Sequence, residues 1–368
     1  MKNMPVINAL ASRKILDSRS EWTIETSLTV NDVTAIASVP EGTSVGKFEA
    51  KSLSVPNALQ KIRNIESHIK GKNFNSQKEL DEYLLELDGT ADKSNLGANV
   101  ILSISHSFAR AFSALKKIPL YKYIADCEGM GTPATKPKIM MLIFEGGKHG
   151  SFNISIQEFM VVVDSVEEGD TVYDLARKTL LSKKLEVEVG LEGAFSPVGF
   201  SNDDILIFLS SLSKFPLALD VAASSVFNQL DFGRMLEKYN ILSIEDPFGE
   251  EEWNKWADFT RSYGGEILIV GDDLVVTNAR RIDKAVKMGA CNAVIIKPNQ
   301  IGTLTETLQA VKLAKENGFK TVVSHRSGET NDSFIADLAV GIGADFVKFG
   351  SPSRGERVAK YNRLLEIF

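Results

Sequence analysis

Cysteine is nearly missing from this chain. Two in 368 residues, with no Cys-x-x-Cys pair, exclude a disulfide scaffold and a thiolate-rich metal site. Long apolar runs are missing too. No stretch reaches the ~18 residues that span a bilayer. The apolar run from Pro5 to Ala11 is cut by Asn8 and followed by Arg13 and Lys14, which is too short for a secretory core. Nor is there an excess of cations: 42 Lys plus Arg against 48 Asp plus Glu leave a net charge of −6, so nothing is set up to neutralise a nucleic-acid backbone or an anionic lipid surface. No Gly-x-Gly-x-x-Gly follows a strand pattern and no Gly-x-x-x-x-Gly-Lys-Ser/Thr occurs, so the nucleotide-binding folds lack their fingerprints. The expectation is a cytoplasmic globular protein that binds neither nucleic acid nor membrane.

What is present is enough apolar material, 43% of the residues, for a large core, and at ~150 residues per domain the length predicts two domains. Thr23 to Val30 and Thr34 to Val39 alternate in polarity across the turn-former Asn31-Asp32, which predicts a hairpin. Helical periodicity follows at Val55 to Ile69, Gln77 to Leu87 and Ala98 to Leu115, the second opened by Ser76 as N-cap. The aperiodic Gly, Pro and Thr residues from Gly129 to Pro137 read as a linker. Residues 1–137 are therefore expected to form a small α+β domain. Beyond it, eight short apolar runs alternate with helical segments: Ile139 to Ile143, Ile156 to Val163, Leu217 to Leu219, Ile241 to Ile244, Ile267 to Val270, Ala293 to Ile296, Thr321 to Val323 and Phe346 to Val347. Unbroken apolar strands separated by helices are what a parallel sheet covered by helices needs, so residues 138–368 are expected to form a (β/α)8-type barrel, with a doubly wound open sheet as the alternative.

Six consecutive runs end on ionisable residues: Asp220, Glu245 with Asp246, Asp272 with Asp273, Lys297, His325 and Lys348. They recur roughly every 25 residues, the length of a strand, a helix and two loops, and in such a barrel those strand ends meet over one mouth. Asp220, Glu245 and Asp272 would repel one another without a cation among them, and an all-oxygen ligand set selects a hard ion such as Mg2+. Lys297 and Lys348 follow, where a neighbouring cation lowers a lysine pKa towards that of a general base. A metal on a substrate carboxylate beside a neutral lysine supplies the parts for removing a proton α to that carboxylate. Other features are assigned no role in chemistry. His68 and His106 fall in helices, Glu250 to Glu252 read as solvated surface, and Trp253 and Trp256 read as packing residues.

The motifs Ile15-Leu16-Asp17-Ser18-Arg19, Leu87-Asp88-Gly89-Thr90, Leu96-Gly97-Ala98-Asn99, Gln157-Glu158-Phe159-Met160, Ser243-Ile244-Glu245-Asp246-Pro247, Gly271-Asp272-Asp273-Leu274, Asn299-Gln300-Ile301-Gly302 and Ser324-His325-Arg326-Ser327-Gly328-Glu329 together resemble the enolase family over nearly the whole chain. The resemblance implies a lyase interconverting 2-phosphoglycerate and phosphoenolpyruvate. It implies that Asp220, Glu245 and Asp272 hold a Mg2+ and that Ser44 is a ligand of a second, substrate-bridged one. Lys297 is then the base, Glu192, Glu158 and His149 serve the leaving hydroxyl, Lys348 meets the substrate carboxylate, and Arg326 and Ser327 take the phosphate. His325 and Gln157 border the same substrate. Pro40 to Gly46 resembles a closing lid, and Arg19 with Glu356 resembles a pair that crosses a homodimer interface. The chain also departs from the family pattern. Leu191 and Ala194 flank Glu192 where Asp and Gly are usual, Glu145 replaces Asn, Ser20 replaces Gly, Ser225 replaces Glu, and segments are shorter between Glu158 and Glu192, between Asp220 and Glu245, and after Phe368. The alternative is a divergent member that keeps the fold and metal site with weak or different activity, or with a binding or structural role.

Overall fold

The computed structural model describes residues 5–43, 45–127, 129, 136–150, 154–224 and 230–368. Ser44, Ser225 and most of the linker reading lie outside them. The first unit is a three-stranded antiparallel sheet, β1 (Ile7–Leu16), β2 (Trp22–Val30) and β3 (Val33–Ser38). The expected hairpin is β2 and β3, to which β1 adds a third strand. β1 escapes alternation because the pairing shifts between Ile7 and Ala9, so its buried residues, Ile7 and Leu10, stand three apart. Against the sheet lie α1 (Val55–Ile69) and α3 (Ala98–Lys116), with α2 (Gln77–Asp88) packed on α3, followed by α4 (Leu120–Cys127). Ser76 caps α2 by accepting the Glu79 N–H. Most of α3 is buried, and its small residues let it lie close to the sheet, where Ser103 bonds Thr26 at 2.7 Å.

The second unit is a closed eight-stranded barrel. It opens with β4 (Lys138–Glu145), β5 (Glu158–Val163), α5 (Val166–Ser182), α6 (Asn202–Leu212) and β6 (Leu217–Asp220). From there it repeats regularly: α7 (Phe232–Lys238), β7 (Ile241–Glu245), α8 (Trp253–Tyr263), β8 (Leu268–Gly271), α9 (Ala279–Met288), β9 (Ala293–Ile296), α10 (Pro298–Ile301), α11 (Leu304–Glu316), β10 (Lys320–Ser324), α12 (Phe334–Gly341), β11 (Phe346–Lys348) and α13 (Gly355–Ile367). The barrel is mixed, which corrects the expectation of eight parallel strands: β5 runs antiparallel to both β4 and β6. Among the described residues no helix separates β4 from β5, and two helices rather than one then precede β6. Along each strand one set of residues faces the helices. The other set, including Met140, Leu142, Met160, Val162, Val270, Ile295 and Phe346, fills the interior. Trp253 and Trp256 are buried, as expected, and no described helix is long and apolar enough to cross a membrane.

Candidate active site

The reversal of β5 brings its first residue, not its last, to the mouth. In register, Glu145 at the end of β4 lies opposite Glu158, Glu158 opposite Asp220, and Asp220 beside Glu245. Four carboxylates from four adjacent strands thus share one level. Lys348, at the end of β11, is buried among them, its Nζ 2.8 Å from Glu245 Oε2 and 3.0 Å from both Asp220 Oδ2 and Glu158 Oε2. Burial opposes its charge, but Asp220, Glu158 and Glu245 outweigh it and hold the ammonium well above the usual lysine value. Burial together with Asp220 pushes Glu245 up to about 8, and burial pushes Glu158 well above the usual range.

Lys297 follows β9 and bonds Asp272 Oδ2, while Gln300 Nε2 donates to Asp272 Oδ1 at 2.8 Å. Burial again opposes the charge, and Asp272 wins, raising Lys297. With carboxylates facing each ammonium directly, both lysines are held in the charged form, whereas the lowering expected from the sequence requires a neighbouring cation. Asp246, one residue beyond Glu245, accepts the N–H groups of Asp272 and Asp273, each at 2.9 Å, and so fixes the loop after β8.

Across the mouth, His325 Nδ1 lies 2.8 Å from Arg357 Nη1. A guanidinium only donates, so Nδ1 accepts and the proton sits on Nε2, which faces Glu192 Oε2 at 3.2 Å. Burial lowers His325 to about 3, keeping it neutral. His149 Nδ1 is 3.5 Å from Glu192 Oε1 and 4.0 Å from Glu158 Oε1, and burial lowers it too. Arg326 is bidentate to Glu49, at 3.0 and 3.2 Å, and Ser327 Oγ accepts the Thr43 N–H at 2.6 Å. Glu41 and Gly328 exchange two backbone bonds of 2.9 Å. The segment read as a lid therefore lies against the loop after β10. Arg19 pairs with Asp17 and Glu356 with Arg354 within the chain.

Of the thirteen residues singled out from the sequence, eleven line one cavity. Glu245 is held by Lys348 beside it, and Ser44 lies outside the described residues. Asp220, Glu245 and Asp272 do not form a trio with ligand atoms within 4.8 Å of one another. The described groups that do are Asp246, Asp272 and Asp273; Glu145, His149 and Glu192; and Glu158, Glu192 and His325. The physical reason is that Lys348 bridges Asp220 and Glu245 while Asp272 turns to Lys297. The donor set nonetheless fits a hard divalent ion: it is all oxygen and buried, each carboxylate already pairs with a lysine ammonium, and Glu245 Oε1 has no hydrogen-bond partner. Gln157 Oε1 and His149 Nδ1 lack partners as well, so polar demand converges on the cavity.

Sequence reasoning placed Asp246 at the mouth without giving it a role, and it missed Glu49, Gln300 and Arg357. Asp246 carried a signal, as the second acid after a strand. Glu49, Gln300 and Arg357 carried none, since their partners are distant in the chain.

Residues 7–124 match the family model described as enolase, N-terminal domain, and residues 230–368 match enolase, C-terminal TIM barrel domain. A protein named Enolase from Mycobacteroides abscessus is 38% identical over 409 aligned positions, covering 99% of this chain and 94% of that protein. The chain belongs to the enolase family. It is an enolase-type lyase, and the aligned length exceeds its 368 residues because the relative carries insertions that this chain lacks. The two family models leave residues 125–229 between them. That stretch carries His149, Gln157, Glu158, Glu192 and Asp220.

Proposed function

We infer that the protein interconverts 2-phosphoglycerate and phosphoenolpyruvate plus water in glycolysis and gluconeogenesis, with Mg2+ held by Asp220, Glu245 and Asp272. The observation that carries this reading is the convergence on one cavity of an amine, Lys297, with a carboxylate, Glu192, that stands three strands away round the barrel. Lys297 takes the C2 proton, and its pairing with Asp272 aims the amine into the cavity. Glu192, once protonated, delivers that proton to the departing C3 hydroxyl, with Glu158 and His149 bordering it and Gln157 beside them. Lys348 receives the substrate carboxylate. Arg326 and Ser327 take the phosphate, the guanidinium offering two parallel donors, and His325 orients Glu192 through Nε2–H.

Asp220, Glu245 and Asp272 would hold a divalent ion, which would supply positive charge where the substrate carboxylate gains negative charge. A second Mg2+ would draw on Ser44. On the same reading residues 1–137 cap the barrel of residues 138–368, the working form is a homodimer, the compartment is the cytoplasm, and the partners are small phosphorylated carboxylates rather than nucleic acid or membrane. A divergent activity on another carboxylate is favoured by one observation, that neither family model reaches the stretch holding Glu192.

The test is the absorbance of phosphoenolpyruvate. With 2-phosphoglycerate and Mg2+ it rises, and a chelator stops it. Absence of any rise with Mg2+ present excludes the proposed reaction.

A further inference from the structure

The 190–194 loop, which presents Glu192, has a partner for every backbone group. The N–H groups of Gly190, Leu191 and Gly193 go to the carbonyls of Ala194, His149 and Gly190. The carbonyls of Gly190, Leu191, Glu192 and Gly193 accept from Arg354, Arg357, the Ser351 N–H and Tyr173 with Ser353. Two N–H groups remain, those of Glu192 and Ala194. The apolar side chains of Leu191 and Ala194 offer them nothing. Both are taken by one side chain from another strand: Glu145 Oε2 accepts from Glu192 N at 3.1 Å and Glu145 Oε1 from Ala194 N at 3.1 Å. Glu145 is fully buried. A Cβ at position 190 would land on its carboxyl, so the glycine there lets the loop close down over it. Ala194 adds its methyl to the barrel interior without strain, since its φ is not positive.

We propose that Glu145 is a positioning residue for Glu192: by gathering the Glu192 and Ala194 N–H groups from the end of β4, it sets where the Glu192 carboxylate stands against His325 and His149. The inference rests on the reaction assigned above. Glu145 touches no substrate. It acts through a loop whose own residue before Glu192 is an apolar leucine, and it does so from a carboxylate on the neighbouring strand.

The experiment separates the two proton transfers. Exchange of the C2 proton of 2-phosphoglycerate with solvent deuterium reports on Lys297, whereas formation of phosphoenolpyruvate also needs Glu192. A displacement of Glu192 by about 1 Å in Glu145→Ala lowers kcat about 100-fold, while KM and the C2 exchange rate stay near those of the parent. Glu145→Gln keeps one acceptor oxygen and recovers turnover to within about tenfold of the parent; it also carries the test if the alanine variant fails to fold. In a Glu192→Gln background, Glu145→Ala costs little more, because its effect passes through the same carboxylate. The inference is overturned by folded Glu145 variants that turn over normally, by C2 exchange falling in step with kcat, or by losses that multiply in the double variant. A parent protein that forms no phosphoenolpyruvate overturns the assigned reaction and this inference together, whereas normal parental and variant turnover overturns this inference alone.

Discussion

The two parts of the barrel reach the same kind of site by different routes. In residues 230–368, which match the family model, Glu245, Asp272, Lys297, His325 and Lys348 all sit at or directly after the ends of parallel strands. Between residues 138 and 229 the order is irregular. Glu158 begins a reversed strand, and Glu192 stands on a loop. Yet each part fixes its loop by the same device, a buried carboxylate that collects two N–H groups. Asp246 does so for Asp272 and Asp273, and Glu145 does so for Glu192 and Ala194. In the first case the brace follows a metal-ligand candidate in sequence; in the second it comes from 47 residues away. The difference teaches that the layer of charged groups is set by strand register, so the connections between strands can shorten or change sequence while the groups stay in place.

If each part supplies one proton transfer, the variants should divide accordingly. The largest effect is expected for Lys297→Ala, which loses at least about 10³-fold in turnover. It loses C2 exchange as well, while retaining Mg2+ binding by calorimetry; a near-normal rate breaks the assignment of the base to the regular part. Glu192→Gln should lose about 10²-fold in turnover but keep C2 exchange in deuterated solvent, and exchange lost with turnover would erase the division between the two parts. Asp246→Ala should weaken Mg2+ binding about 10- to 100-fold, because it frees the backbone that aims Asp272. Glu145→Ala should leave Mg2+ affinity unchanged, and equal losses from both variants would show that the braces are not local.

The smallest effect is a control in neither brace. His106, stacked on Phe334 at 3.5 Å between ring centres, is lowered by burial to about 3 from an ordinary 6.5. The unfolded chain takes up this proton below about 6.5 and the folded chain does not until about 3. Folded stability is therefore lost progressively as pH falls through that window, by about 1.4 kcal/mol per pH unit for one proton. His106→Leu should flatten the urea midpoint against pH there by that one-proton slope, with turnover at pH 7 unaltered. An unchanged pH slope would mean that His106 is not kept neutral.

Much of the barrel was legible because each buried strand is a short apolar run and six of them stop on a charge. The direction of β5 was not legible, since Phe159 to Val163 reads the same whichever way it runs, and so Glu158 was reached by resemblance alone. β1 was hidden by its shifted pairing. The partners that govern the site were the least visible. Glu49 meets Arg326 across 277 residues of chain, and Arg357 meets His325 across 32, with no periodicity to connect them.

By itself the sequence determined which residues would be buried strands and which ionisable groups would close them, because alternation and apolar burial act over neighbouring residues. Only the tertiary structure decided what those groups face. Lys348 lies among three carboxylates, His325 carries its proton on Nε2, and Glu145 stands under the Glu192 loop, because such contacts depend on register and distance between segments that no local pattern links.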